Sequence, residues 1–309
     1  MDRFEDMRCF VQVADQQSVT RAAAQLSLAP SAVSRRLKDL EARLGAQLLT
    51  RTTRRMSLTE AGQAYYARCQ QILRDVEDAE AEVTAEARGL SGQLRLAAPL
   101  GFGLAHLAPI LTDFMAEHGE LVIDLDLSDR RVDLVGEGFD LAVRIGRLDD
   151  SSLIARRLTD VRVLVCAAPA LLARHGTPAT PEDLRALPAL CYSGSARPDI
   201  WRYSTPEGTE GSVQMRQRLR VNSGEMAREA AIAGLGVAIA PSFIVHEALG
   251  DGRLRALLTD HLWPGVTVHV VYPETRHLSA KARAFIDFLR TRLGPRPPWE
   301  AALERLLAE

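Results

Sequence analysis

The stretch Ser18-Val19-Thr20-Arg21-Ala22-Ala23-Ala24-Gln25-Leu26, followed by Ser27-Leu28-Ala29-Pro30-Ser31-Ala32-Val33-Ser34-Arg35-Arg36-Leu37, decides how the chain begins to fold. Ser18 stands where a helix N-cap belongs, and Ala22, Ala23 and Leu26 form the inner face of a short helix behind it. Residues 27–29 make a brief turn. Pro30 then opens another helix, because its fixed φ suits the first helical turn and its missing N–H is not needed there. That helix is expected to bury Val33, Leu37, Leu40 and Leu44, spaced 4, 3 and 4 apart, and to end at Gly45. Upstream, Met7, Phe10, Val11 and Ala14 share one face of a helix over 7–16. Two short helices joined by a tight turn make a helix-turn-helix.

Working outward, Ser31, Ser34, Arg35 and Lys38 fall on the face opposite the leucine stripe. Leu48 and Leu49, a basic tip and then residues 56–59 read as the two strands of a β-wing. Between Ser18 and Arg55 stand eight basic and two acidic residues, so this segment carries +6 while the net charge of −2 leaves −8 for the rest. A compact basic module on an acidic body points to a polyanionic partner at one end only. Residues 60–89 hold no Pro and predict one long helix, with a thin seam along Ala61, Tyr65, Arg68, Ile72, Val76, Ala79, Val83, Ala87 and Leu90. Such a seam either dimerises or packs on a neighbouring domain.

Beyond Gly92 the pattern changes. Strands are expected over 94–97, 122–127, 141–145, 161–167, 237–240 and 266–272, and helices over 104–117, 131–137, 225–233 and 279–292. Buried strands alternating with helices imply sheets built from parallel crossovers, and some 200 residues of this pattern fit two lobes better than one. Residues 295–298 read as a rigid spacer, and 299–309 as a short amphipathic helix.

By these residues the chain resembles the LysR-type transcriptional regulators. The resemblance is carried by residues 18–23, Leu26, 31–37, Leu40-Glu41, Leu44-Gly45, Leu48-Leu49, 51–54 and Leu58-Thr59-Glu60-Ala61-Gly62. It continues through 133–146, Val221-Asn222-Ser223-Gly224, Ala233-Gly234-Leu235-Gly236, His277-Leu278-Ser279 and Phe285-Ile286-Asp287-Phe288-Leu289. It implies a winged helix-turn-helix over 1–59, a dimerising linker helix over 60–90 and an effector domain over 91–294, with 295–309 as a tail. The effector domain would be α/β, two Rossmann-like lobes similar to periplasmic binding proteins. Lobe I would span 91–161 and 268–294, and lobe II 162–267. Expected partners are double-stranded promoter DNA, a small-molecule effector, further copies of the chain as dimer or tetramer, and RNA polymerase.

A recognition helix fits the major groove, where short polar and basic side chains reach base edges. Ser31, Ser34, Arg35, Arg36 and Lys38 are therefore assigned to DNA, with Arg35 as base reader. Arg51, Thr52, Thr53 and Arg54 on the wing suit phosphate or minor-groove contacts. Pro30 stands where relatives often carry Gln or Ser, which removes one possible base contact. The effector is expected between the lobes, on loops at strand ends and helix N-termini. Those are Leu100, Gly101 and Phe102; Ser128; Arg144, Ile145 and Gly146; Asn222 and Ser223; Pro241 and Phe243. Gly101 replaces a hydroxyl residue frequent in relatives. Arg144 is either a carboxylate clamp or a structural partner, and the mix of apolar side chains with Arg144 leans towards an aromatic or aliphatic acid.

Other classes fit less well. Gly101-Phe102-Gly103 followed by Asp124 and Asp126 imitates a dinucleotide fingerprint, but His106 occupies its third glycine position. No GxSxG, P-loop or HExxH occurs, so no enzyme is expected, and no cofactor or metal beyond the effector. Cys9, Cys69, Cys166 and Cys191 show no ligand spacing, and Cys166 and Cys191 read as buried hydrophobes. The charged opening and the broken apolar run of 230–245 predict a cytoplasmic protein with no membrane partner. The remaining alternative is a repressor with a vestigial, ligand-free cleft.

Overall fold

A computed structural model describes residues 2–51, 56–146, 153–274 and 278–308. The head opens with α1 (Arg3–Gln16), α2 (Val19–Gln25) and α3 (Pro30–Leu44). Ser18 Oγ accepts the Arg21 N–H at 3.3 Å, and the turn before α3 is reached through Ser27 at φ 54°. Gly45, at φ 66°, ends α3 in the left-handed region where a glycine costs nothing sterically. Phe10, Val13, Ala22, Ala23, Val33, Leu37 and Leu40 form the core. Leu44, expected among them, is 39% exposed, and Leu48 and Leu49 beyond the cap fill that end of the core instead.

The wing strands β1 (Leu49–Arg51) and β2 (Met56–Leu58) pair antiparallel. They lead into α4 (Glu60–Arg88), whose first turns belong to the head. A Cβ at Gly62 would lie 1.9 Å from the Leu48 carbonyl oxygen, so only glycine lets α4 lie this close to the wing base. Tyr65 and Tyr66 ring Phe10 at 5.5 and 6.4 Å, and Cys69 is buried in the same cluster. The expected boundary at 59/60 therefore cuts the head's core. Of the predicted seam, Ala61, Arg68, Ile72 and Ala79 are exposed, while Gly62, Cys69 and Leu73 turn inward on another face of the helix. Farther along, Asp78 pairs with the buried Lys281 of the body.

Lobe I is built from β3 (Gly92–Ala98), α5 (Leu100–Phe102), α6 (Ala108–Glu117), β4 (Leu121–Leu127), β5 (Leu141–Ile145) and β6 (Leu153–Val161). One π-turn, Gly103–Leu107, joins α5 to α6. The chain then crosses at Arg162 into lobe II: β7 (Val163–Ala167), α7 (Pro169–His175), a 3-10 turn at Pro181–Ala186, β8 (Pro188–Tyr192), β9 (Ile200–Ser204), β10 (Glu210–Gln214), β11 (Arg216–Val221), α8 (Gly224–Ile232), β12 (Val237–Pro241), α9 (Ser242–Gly250) and β13 (Arg255–Leu257). It returns to lobe I as β14 (Val266–Pro273) and α10 (Ala280–Leu293) before the last helix, α11 (Pro298–Ala308).

The sheets run β4-β3-β5-β14-β6 and β11-β8-β12-β7-β13. Each is mixed rather than purely parallel, because the strand that enters after crossing between lobes runs antiparallel to both its neighbours, β14 to β5 and β6, and β7 to β12 and β13. The strand expected over 161–167 is divided at the crossover. The helix expected over 131–137 is a set of turns, held by the Asp133 carboxylate accepting the Val135 and Gly136 N–H groups. Such short-range side-chain bonds compete with a helix ladder. The tail is no appendage: α11 lies against α9 of lobe II, with Trp299 and Leu303 buried. Among the described residues, no helix is long and apolar enough to cross a membrane.

Candidate nucleic-acid interface and interlobe site

On α3, Ser31, Arg35 and Lys38 are exposed and Ser34 is half-buried, opposite the buried Val33, Leu37 and Leu40. The 3.6-residue period fixes that division. Three other cations of the basic segment are engaged within the head. The Arg21 guanidinium donates to the Gln16 carbonyl. Arg36 and Arg43 reach the buried Asp6 carboxylate at 3.7 and 3.8 Å, tying α1 to α3. Arg36, assigned to DNA from the sequence, is thus directed at Asp6, one helical step away from the exposed face. Glu41 Oε1 accepts the Leu48 and Leu49 N–H groups at 2.8 and 3.2 Å, which fixes the wing base to α3. Thr52, Thr53 and Arg54 lie outside the described residues; Arg51 closes β1.

Between the lobes, the sequence-derived residues fall into two groups. Leu100 (44% exposed) and Asn222 are exposed, and Gly101, Ser128, Ser223 and Pro241 are half-buried. Phe102 and Phe243 are buried. Phe102 and Phe243 do not line open space: they meet edge-on at 5.4 Å, and each packs against Trp299 of α11, at 5.9 and 6.2 Å. His106 completes this group, its Nε2 3.1 Å from the Phe243 carbonyl oxygen and its ring 4.5 Å from that of Trp299. Burial holds the His106 pKa below its ordinary value, against the opposing pull of the Phe243 carbonyl.

Arg144 has a structural partner in lobe I. Its Nη2 donates to the Val132 carbonyl at 3.0 Å, and burial followed by the neighbouring Arg131 lowers its pKa. Ile145 is half-buried beside it, and Gly146, at φ 109°, donates its N–H to Thr267. The helix N-terminus in lobe I is already met by carboxylates of this chain. Asp129 Oδ1 accepts the Leu100 N–H at 3.3 Å. Glu225, on the first turn of α8 in lobe II, lies against Gly101, where a Cβ would fall 1.5 Å from its Oε1. Ser223 Oγ donates to Glu225 Oε2 at 2.8 Å and caps α8 by accepting the Met226 N–H. Burial, with Glu225 nearby, raises the Asp129 pKa, and burial followed by both carboxylates raises that of Tyr192. Ser128 Oγ is buried without a hydrogen-bond partner among the described residues.

Glu225, Asp129, Tyr192, His106 and Trp299 were not found by sequence reasoning. For Glu225 a signal existed, an acidic residue in the first turn behind a Ser-Gly cap. For Trp299 none did. The cysteines are all buried thiols, with burial pushing Cys166 up to about 12 and Cys69 up to about 11. Cys166 on β7 and Cys191 on β8 flank β12, a separation of roughly 10 Å at ordinary strand spacing, beyond disulfide reach.

Comparison with known proteins gives two family matches. Residues 4–63 match the bacterial regulatory helix-turn-helix protein, lysR family, and residues 87–294 match the LysR substrate binding domain. An HTH-type transcriptional regulator of Haemophilus influenzae is 38% identical over 91% of this chain and 97% of its own length. The HTH-type transcriptional regulator CrgA of Neisseria meningitidis serogroup C is 36% identical over 94% of this chain and 97% of its own. Among solved structures, CrgA from Neisseria meningitidis superposes with TM-score 0.61 at 35% identity, covering 94% of this chain and 98% of that one. The full-length Vibrio cholerae virulence activator AphB does so at 0.59 and 28%, covering 94% and 99%.

Proposed function

The chain belongs to the LysR-type transcriptional regulators, and from that premise we propose how its head reads DNA and what its interlobe cleft accepts. It is a DNA-binding regulator of transcription with an effector-binding body. In our reading α3 enters the major groove, Arg35 reads a base edge, and Ser31, Ser34 and Lys38 support it. Arg51 with Thr52, Thr53 and Arg54 of the wing holds phosphates. The observation that carries this reading is the division of the basic residues: Arg35 and Lys38 stand exposed on the face of α3 opposite its core, while Arg21, Arg36 and Arg43 hold acceptors of the head itself, the Gln16 carbonyl and the Asp6 carboxylate. The exposed stripe Ala61, Arg68, Ile72 and Ala79 on α4 supports pairing with a second copy. RNA polymerase is the partner through which a bound regulator would act, and no cofactor is needed.

The cleft takes a small molecule, and its chemistry argues for one that is neutral or positively charged. An anion held at the lobe I helix N-terminus would compete with Asp129 for the Leu100 N–H and with Glu225 for the notch at Gly101. Arg144 already uses one guanidinium donor on the Val132 carbonyl. This reverses the lean towards an organic acid. Matched pairs of small amines and acids on one carbon skeleton, screened by thermal shift, test the charge preference: the amines should stabilise the protein, and Glu225→Gln should weaken that preference. Acids stabilising the unaltered chain more than amines would refute it.

Footprinting on the DNA upstream of the chain's own gene, at physiological salt, tests the function. A discrete protected site that Arg35→Ala abolishes supports the head's reading. Protection unaffected by that substitution refutes the assignment of Arg35.

A further inference from the structure

The chain passes between lobes three times: at Arg162, between β13 and β14, and between α10 and α11. The first two crossings run side by side, since a Cβ at Gly265 would approach the Val161 carbonyl oxygen to 2.9 Å. The third lies beyond residue 294, past the family match. It returns the chain to the first. Glu300, 7% exposed on the opening turn of α11, accepts the Arg162 backbone N–H at 3.0 Å through Oε1 and the Arg162 Nε at 2.6 Å through Oε2. Arg162 Nη2 also donates to the Glu300 carbonyl at 3.3 Å. Ser242, fully buried at the start of α9, donates its hydroxyl to Glu300 Oε1 and its N–H to the Arg162 carbonyl at 2.8 Å. Beside it, Trp299 fills the space between Phe102 and His106 of lobe I and Phe243 of lobe II.

We propose that α11 clamps the interlobe hinge, with Glu300 as a positioning residue that fixes Arg162, the one residue between the two lobes' strands β6 and β7, and thereby sets the angle between the lobes. Both polar groups of the Arg162 backbone are held within lobe II, the N–H by Glu300 and the carbonyl by Ser242. Removing the partners of a carboxylate buried this far would leave its oxygens unsatisfied, which is costly. Rotation about the first crossing must break these bonds or move α11 with it. Charge-assisted bonds to a shielded carboxylate are among the stronger ones in a protein, so the clamp resists the first course.

The test uses the full chain, spin-labelled through Asp287→Cys in lobe I and Glu207→Cys in lobe II, and diluted with unlabelled chain so that only distances within one subunit are read. Glu300→Ala should at least double the width of the interlobe distance distribution. It should also speed amide exchange at Arg162 about tenfold, as loss of one hydrogen bond would, with Leu158 and Val165 unchanged. Glu300→Gln, which keeps an acceptor for the backbone N–H but loses the charge, should fall between, and it carries the same test where Glu300→Ala fails to fold. Leu303→Ala, which removes only apolar packing from α11, should lower stability without widening the distribution. Unchanged distances and exchange in the Glu300 variants would overturn the clamp. So would equal widening in Leu303→Ala, because α11 would then be only a cover.

Discussion

Helices α3 and α11 are both short and amphipathic, and both bury one side, yet they make their contacts over very different distances along the chain. Helix α3 rests on α1 and α2, all within the first 44 residues, and its exposed side is its working side. Helix α11 works through its buried side: Glu300 bonds residues 58 and 138 positions away, and Trp299 stacks on rings from both lobes. The lesson is that a surface meant for an outside partner is readable from one helix's own period. A surface meant for the inside is readable only when the partner segments are known.

The largest effect that separates the two is loss of core. Trp299→Ala should cost about 3–5 kcal/mol in unfolding of the lobes and leave operator affinity of the folded protein nearly unchanged. Leu40→Ala should cost about 2–5 kcal/mol in the head alone, seen as a separate early transition in denaturant. If Trp299→Ala melts the head instead, the two helices are not independent. Next in size, Arg35→Ala should lose about 1–3 kcal/mol of discrimination between operator and scrambled DNA in competition binding, while no α11 substitution should do so.

Smaller again, Ser18→Ala should destabilise the head by about 1 kcal/mol through the lost cap, measured by urea melts. The finest distinction is pH. Burial depresses His106 in the folded state, so its contribution to stability is present above the ordinary value of 6.5 and is lost as pH falls through the lower folded value. Facing His106 are Phe243, Trp299 and His246, with Glu247 and Glu225 close enough to oppose the shift. Denaturant midpoints of the lobes should therefore fall between neutral and mildly acid pH, and His106→Gln should flatten that fall. An unchanged slope would remove His106 from the account.

The head was legible almost residue by residue, because caps, turn and apolar spacing act within a few positions of one another. The Arg36–Asp6 pair was not legible, because Asp6 stands thirty residues earlier and shares no local pattern with Arg36. In the body, buried strands such as β3, β5 and β12 announced themselves as apolar runs. Strand β6 did not, since it pairs only with β14 at the sheet edge and carries Arg156, Arg157 and Asp160. The helix predicted over 131–137 failed where Asp133 offered the backbone a closer acceptor. At the interlobe site, the strand ends and helix starts were legible, but of the two carboxylates that meet α5 one, Glu225, comes from the other lobe. Only the assembled fold brings Glu225 to Gly101.

The close seating of Gly62 beneath the Leu48 carbonyl bears on anyone who would exchange heads between such proteins. A splice made at the wing's end would strand Tyr65, Tyr66 and Cys69 on the wrong parent and leave the transplanted head without one wall. The workable joint lies farther down the long helix, beyond Leu73, provided Arg74, which lies against Gly138, and Asp78, which pairs with Lys281, stay with the body's parent. The cassette to be cut is thus longer than its DNA-reading part, and a hybrid joined there should keep both its address and its lever.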